Sequence, residues 1–292
     1  MDMNISKDLC YESRAGQSKP LEIFVFIDPL STCCWGHEPV IKKLLVQYGE
    51  YFSIRHVIGG QFPRLVECTK KKYPDLAKAW DKAGTSSGMS CDGDLWLEDP
   101  ILEPYHVPLA IKAAELQGKS AGTRFLRKLQ EVLFLEKQNV SKKRVLIDIA
   151  EKVSLDVELF TNDLTSTSAV RAFTCDLKIT EEMDIDETPS MVFFSQHMEE
   201  EGIKISGVYP YEVYEDILEE MLDYKPVKAD LPDITSFLQM FPLVATAEVA
   251  AVYNLSEDEA TTWMKKLKLQ GLVEHVPVKH GSFWRFKNMN EA

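Results

Sequence analysis

Ser31-Thr32-Cys33-Cys34 is the stretch whose residue types come nearest to chemistry. A C-x-x-C pair at a helix N-terminus carries out thiol–disulfide exchange, because the helix dipole and free N–H groups there stabilise a thiolate. Here the second cysteine is present as Cys34, and the first position holds Ser31. A serine hydroxyl is not appreciably ionised near neutral pH and forms no disulfide, so it cannot begin the exchange. Cys33 does not repair the pair. Adjacent cysteines in a helix point apart, and a vicinal disulfide would be strained. Two readings stay open: Cys34 as a lone reactive thiol or the partner of a distant cysteine, and a disused redox loop whose helix start still shapes a surface. The missing nucleophile favours the second.

Two further constellations bear on the same loop. Cys34 and His37 are three residues apart and with Cys33 could face one metal, but two thiols and one imidazole on a single turn do not close a tetrahedral site. No other Cys/His cluster completes it, so neither a metal nor any other cofactor is expected. Thr188-Pro189 stands immediately before Ser190-Met-Val-Phe-Phe. Its place ahead of a returning strand predicts a cis peptide bond. The residue before such a proline offers free backbone N–H and C=O groups to an extended peptide.

The elements that must position these residues are legible. Leu21 to Ile27 is an alternating, β-branched and aromatic run, a buried strand that Asp28-Pro29 ends. Ile41, Leu44, Leu45 and Tyr48 form one apolar helix face. Tyr51 to Ile58 reads as a second strand, parallel to the first across that helix, and Gly59-Gly60 breaks it. Residues 61–176 turn helical, with helices expected at Asp75–Ala83, Tyr105–Leu116, Ser120–Leu133, Ser141–Lys152, Val157–Leu164 and Ser168–Glu182. Ser141 is a candidate N-cap and Gly118 a candidate stop, and Gly84 to Gly93 reads as a polar loop. Strands return at Ser190–Ser195 and Ile203–Val208, and a helix bearing Tyr214, Ile217, Leu218 and Met221 closes the region. The order β-α-β, helical block, β-β-α is a thioredoxin fold with a helical insertion, the layout of the DsbA-like group. It spans 21–224, after a flexible N-terminus at 1–20.

A linker at 225–232 leads to a second domain at 233–292. There Thr246 is a candidate cap for Ala247–Tyr253, and Ser256 with Glu259 forms a capping box for a helix bearing Ala260, Trp263, Met264 and Leu267. Leu272–Val278 and Phe283–Phe286 read as a hairpin. Helix, helix, hairpin suggests a winged-helix module. Its second helix opens with Glu257, Asp258 and Glu259, which would repel phosphate, so a protein-contacting or structural role is expected.

Composition narrows the classes further. The 292 residues are 45% hydrophobic and carry a net charge of −13, which argues against general nucleic-acid binding and against an anionic membrane surface. No apolar run approaches the ~20 residues of a span, and the start has no apolar signal core. A cytosolic location is therefore expected, with the six scattered cysteines as free thiols.

The run FIDPL from Phe26, Cys34-Trp35, and Glu38 to Leu44 resemble the YjbH/SpxH group of Firmicutes. So do Gly88-Met-Ser-Cys-Asp-Gly93, Ala113 to Gly118, Glu201 to Lys204, and Lys279-His-Gly281 followed by Phe283-Trp284. The similarity runs from about Pro20 to Phe286. It implies a non-enzymatic cytosolic adapter, with a DsbA-like domain used for protein binding, that binds the transcription regulator Spx and promotes its degradation by ClpXP. Members of the group often carry cysteine at both ends of the redox tetrapeptide, and some have a His- and Cys-rich N-terminus linked to zinc. Ser31 departs from the first pattern and residues 1–20, with Cys10 alone, from the second. The alternative is a thiol–disulfide oxidoreductase of the DsbA-like group. A DNA-binding winged-helix regulator is a further rival. Within the adapter reading, the first domain is expected to hold the partner through its sheet edges and proline loop. The second domain, with eight acidic and six basic residues from Asp230 onward, would absorb its apolar residues into its own core.

Overall fold

The computed structural model describes residues 19–59, 72–195 and 202–287. The expected flexible N-terminus falls outside them except for its last two residues, as do Cys10, Cys68 and the turn after Ser195.

Strand β1 (Leu21–Ile27) leads through Asp28-Pro29 into a short helix α1 (Thr32–Gly36), then α2 (Glu38–Tyr48) and β2 (Phe52–Ile58). Helices α3 (Tyr73–Ser87), α4 (Leu95–Glu98), α5 (His106–Glu115), α6 (Lys119–Phe134), α7 (Lys143–Lys152), α8 (Val157–Asp163) and α9 (Thr167–Glu182) follow. β3 (Ser190–Ser195), β4 (Ile203–Ser206) and α10 (Tyr211–Leu222) complete the unit. The sheet order is β2-β1-β3-β4, with β1 and β2 parallel and the other pairs antiparallel. Alternation along β1 sorts its side chains. Leu21, Ile23, Val25 and Ile27 enter the main core, whereas Phe24 and Phe26 join Val57 and Val192 against Ile179 of α9 and Met183 just after it.

Several expectations are corrected. The last helix of the block ends at Glu182 as expected, so the helical block runs past 176, and α9 belongs with the sheet rather than to an insertion: the Asp176 carboxylate accepts from the Ile58 N–H at 2.8 Å and from Lys112 Nζ at 2.5 Å. Periodicity marks a helix but not its partner. The polar loop from Gly84 is helical as far as Ser87, where Gly88 at φ +67° ends α3. Ser141 is not a cap, since its hydroxyl donates to Asn139 Oδ1 at 2.6 Å and Lys142 holds the cap position. The last strand stops at Ser206 rather than Val208, because Gly207 at φ +89° turns the chain and its N–H donates to Pro189 O at 2.8 Å.

The linker lies against the first unit, with the Ala229 N–H donating to Gln47 O and the Val227 N–H to Tyr51 Oη. The C-terminal segment then runs α11 (Ile234–Met240), β5 (Leu243–Ala245), α12 (Thr246–Tyr253), α13 (Glu257–Leu269), β6 (Val273–Val276) and β7 (Phe283–Phe286), with sheet order β5-β7-β6. Ser256 and Glu259 form their capping box. Thr246 does not cap α12. Its hydroxyl accepts the Trp284 indole N–H at 2.9 Å, and Ala245 takes the cap position, its N–H donating to Glu248 Oε2 at 2.7 Å. Met264, Leu267 and Trp284 are buried in this segment's own core, with Trp263 partly buried against it.

Candidate functional site: the Ser31–Cys34 loop and its surroundings

Proline at position 29 and the end of the β1 ladder force the chain to turn, and Ser31 caps the helix that follows. Its Oγ accepts from the Cys33 N–H at 3.2 Å and the Cys34 N–H at 3.4 Å, so the hydroxyl occupies the cap where an attacking thiolate would sit. Cys33 points outward and is exposed. Cys34 is buried at 4% exposure, and its sulfur accepts the Asp28 N–H at 3.4 Å and a hydrogen bond from the Thr188 side chain. Burial pushes its thiol up to about 12, against the hydrogen bonds from Asp28, Ser31 and Thr188, while the Asp28 charge adds to the rise. A thiol so placed is protonated at neutral pH and is a poor nucleophile. Cys91 is also buried, its pKa raised chiefly by desolvation, with Cys33 and Asp81 adding to the rise.

The Thr188–Pro189 peptide bond is cis. The loop it belongs to touches the Cys34 sulfur on one side and Gly207 on the other. Beyond Gly207, Val208 and Tyr209 are 54% and 43% exposed, and the Tyr209 N–H donates to Tyr214 Oη at 3.2 Å. The phenol proton is thus left for His37 Nε2, 2.9 Å away. Burial draws His37 down to about 4 against the opposing charge of Glu38. His37 is therefore a satisfied core imidazole, turned to Tyr214 rather than toward the cysteines. Among the described residues no group of three or more His, Cys, Asp or Glu converges as a metal site.

Behind the loop, Trp35 joins the two halves of the chain. Its ring stacks on Phe134 at 5.6 Å and on Phe283 of β7 at 6.2 Å, Arg127 lies 4.5 Å over it, and its indole N–H donates to Ser90 O at 3.0 Å. Arg127 NH1 reaches Glu38 and Glu248, each at 3.1 Å, and Lys42 Nζ pairs with the same Glu248. Glu248 is fully buried. Burial alone would raise its pKa, but Arg127 and Lys42 outweigh that and hold the carboxyl below the usual range. On the hairpin, Lys279 Nζ lies 3.0 Å from Asp81, 3.3 Å from Asp92 and 3.0 Å from Asp94, and the His280 N–H donates to Ser90 Oγ. The strings Gly88–Gly93 and Lys279–Gly281, separate in sequence, therefore face each other across the interface. Sequence reasoning singled out both, but nothing in either string reveals the pairing. It missed Val208 and Tyr209 by reading Val208 into a strand; Gly207 was the available signal.

These features define a DsbA-type thioredoxin-like protein in which one of the two redox positions is a serine. Residues 24–216 match the family model Thioredoxin_5, described as thioredoxin. A putative protein disulfide isomerase from Nitrosomonas europaea shares the fold at 18% identity, with a TM-score of 0.61 over 70% of this chain and 98% of that one. Closer in sequence are two proteins named ClpXP adapter protein SpxH. One, from Halalkalibacterium halodurans, is 49% identical over 94% of this chain and 92% of its own length. The other, from Bacillus subtilis (strain 168), is 48% identical over 91% and 89%. The chain belongs to the SpxH family of thioredoxin-like proteins. No helix among the described residues is long and apolar enough to cross a membrane.

Proposed function

We propose that this protein is a cytoplasmic, non-enzymatic adapter that binds Spx and promotes its degradation by ClpXP. The observation that carries the reading is the Ser31 cap over a buried, protonated Cys34: the fold keeps the shape of a redox face without its nucleophile. The names of relatives at 48–49% identity support the ClpXP part. The docking face is Ser31 to Cys33, Thr188-Pro189, and Val208-Tyr209, three segments tied together through Cys34, Pro189 and Tyr214. Exposed aromatic and aliphatic side chains beside an extended proline loop suit a protein partner.

Residues 233–292 serve as a winged-helix-like module. Their helix–strand–helix–helix–strand–strand order supports that reading, and the module sets the orientation in which the partner is handed over. Because it shares Trp35, Arg127 and Lys42 with the first unit, the docking face is tested in the full chain. Val208→Glu with Tyr209→Glu, titrated against Spx by calorimetry, is expected to weaken binding at least about tenfold. Unchanged affinity would overturn this docking face. The oxidoreductase reading draws on the fold neighbour named as a putative disulfide isomerase and on exposed Cys33. Insulin reduction by the native protein that disappears in Cys34→Ala would favour it.

A further inference from the structure

The outward side of α13 carries a pattern that is complementary to itself. Leu255 just ahead of the helix, Asp258, Thr262, Lys266 and Leu269 fall on one stripe at three- and four-residue spacing, and all but the half-buried Leu255 are exposed. A groove of about 440 Å³ runs along this stripe, walled by Leu255 and Trp263 and flanked by Asp258 and Lys266. Leu269 is 89% exposed, the most exposed large apolar side chain among the described residues. Neither Asp258 nor Lys266 has an ion-pair partner among the described residues, whereas the neighbouring Glu259 spends its carboxylate on Ser256.

The pattern is symmetric about Thr262. Asp258 and Lys266 stand four residues to either side of it, and Leu255 and Leu269 seven. A second copy turned about a two-fold axis through Thr262, with its helix antiparallel, therefore sets Asp258 against Lys266 and Leu255 against Leu269, each contact made twice. The helix dipole accounts for acids early and bases late in α13, but not for apolar residues at matching distances outside them. We propose that α13 is the two-fold interface of a homodimer, with Leu269 of each copy seated against the Leu255 end of the other copy's groove. The net charge of −13 opposes self-association, so the local pairs set the register and the contact is readily reversible.

Sedimentation velocity on the full chain tests this across about a hundredfold range of concentration. The native protein is expected to shift from monomer to dimer. Leu269→Glu, Asp258→Lys and Lys266→Asp are each expected to weaken the dimer at least about tenfold, with unchanged circular dichroism because all three positions are exposed. An equimolar mixture of Asp258→Lys and Lys266→Asp is expected to recover pairing, since each then meets its opposite charge twice. A native chain that stays monomeric, a dimer that survives Leu269→Glu, or a mixture no better than its components would each overturn the proposal.

Discussion

Trp35, the residue after Cys34, lies parallel to Phe283 of the C-terminal hairpin, with ring centroids 6.2 Å apart and an angle of 4° between the ring planes. The two units of the chain thus share a core directly behind the loop that would carry redox chemistry. Glu248, buried between Lys42 and Arg127, extends the same junction with charge.

Removing that carboxylate takes its near partner from buried Lys42, which keeps only Glu38 at 3.8 Å, while Arg127 keeps Glu38 and Glu131. Glu248→Ala is expected to cost about 3 kcal/mol, the low end for breaking a buried pair, because Glu38 and Glu131 still compensate part of the charge. Urea unfolding checks it. A loss below about 1 kcal/mol would mean that water reaches the site.

The hairpin's fit is set by backbone approach. Gly281 has φ +67°, and a Cβ there would come 2.7 Å from Gly88 O; Gly271 has φ +76° with nothing within 4 Å. Gly271→Ala therefore carries only the left-handed backbone cost, about 1 kcal/mol, and Gly281→Ala is expected to exceed it clearly. Equal shifts in melting temperature would show that the hairpin is not held against residues 88–93.

Thiol mapping separates the cysteines. With its thiol at about 12, Cys34 has a thiolate fraction near pH 7 of about one part in 10⁵. Timed alkylation followed by mass spectrometry is expected to mark exposed Cys33 and Cys175 first, and buried Cys34 and Cys91 only on unfolding. Rapid modification of native Cys34 would contradict the burial argument. Ser31→Cys, which puts a sulfur at the cap, is expected to gain a disulfide to Cys34 and a measurable redox couple.

Acid should loosen the fold through His37. Its folded value of about 4 lies below the ordinary 6.5, so the unfolded chain binds the extra proton first. The stabilisation is complete above pH ~6.5 and is lost as pH falls toward ~4, amounting to about 2 kcal/mol between pH ~7.5 and ~5. His37→Asn removes the titration, and its urea midpoint is expected to change less over that interval. An unchanged pH slope would place the titrating group elsewhere.

Much of this was legible in the chain. The bounds of β1 follow from an apolar run stopped by Asp28-Pro29, and the α13 cap from Ser256 and Glu259, because both signals are local. What failed depended on distant partners. Thr246 has the right hydroxyl for a cap, but Trp284 claims it; Ser141 turns to Asn139 instead. Phe283 reads as an ordinary hairpin residue, and only the packed structure shows it against Trp35. At the loop itself, residue types identified the missing nucleophile, whereas the burial that silences Cys34 needed the fold.

The central claim is adapter function without thiol chemistry. Its most direct test is the decay of Spx in a purified mixture of ClpX, ClpP and ATP, under reducing conditions, with the native protein and with Cys34→Ala. Both proteins are expected to accelerate decay to the same extent. No acceleration by the native protein, or acceleration that vanishes in Cys34→Ala while that variant remains folded, would contradict the account.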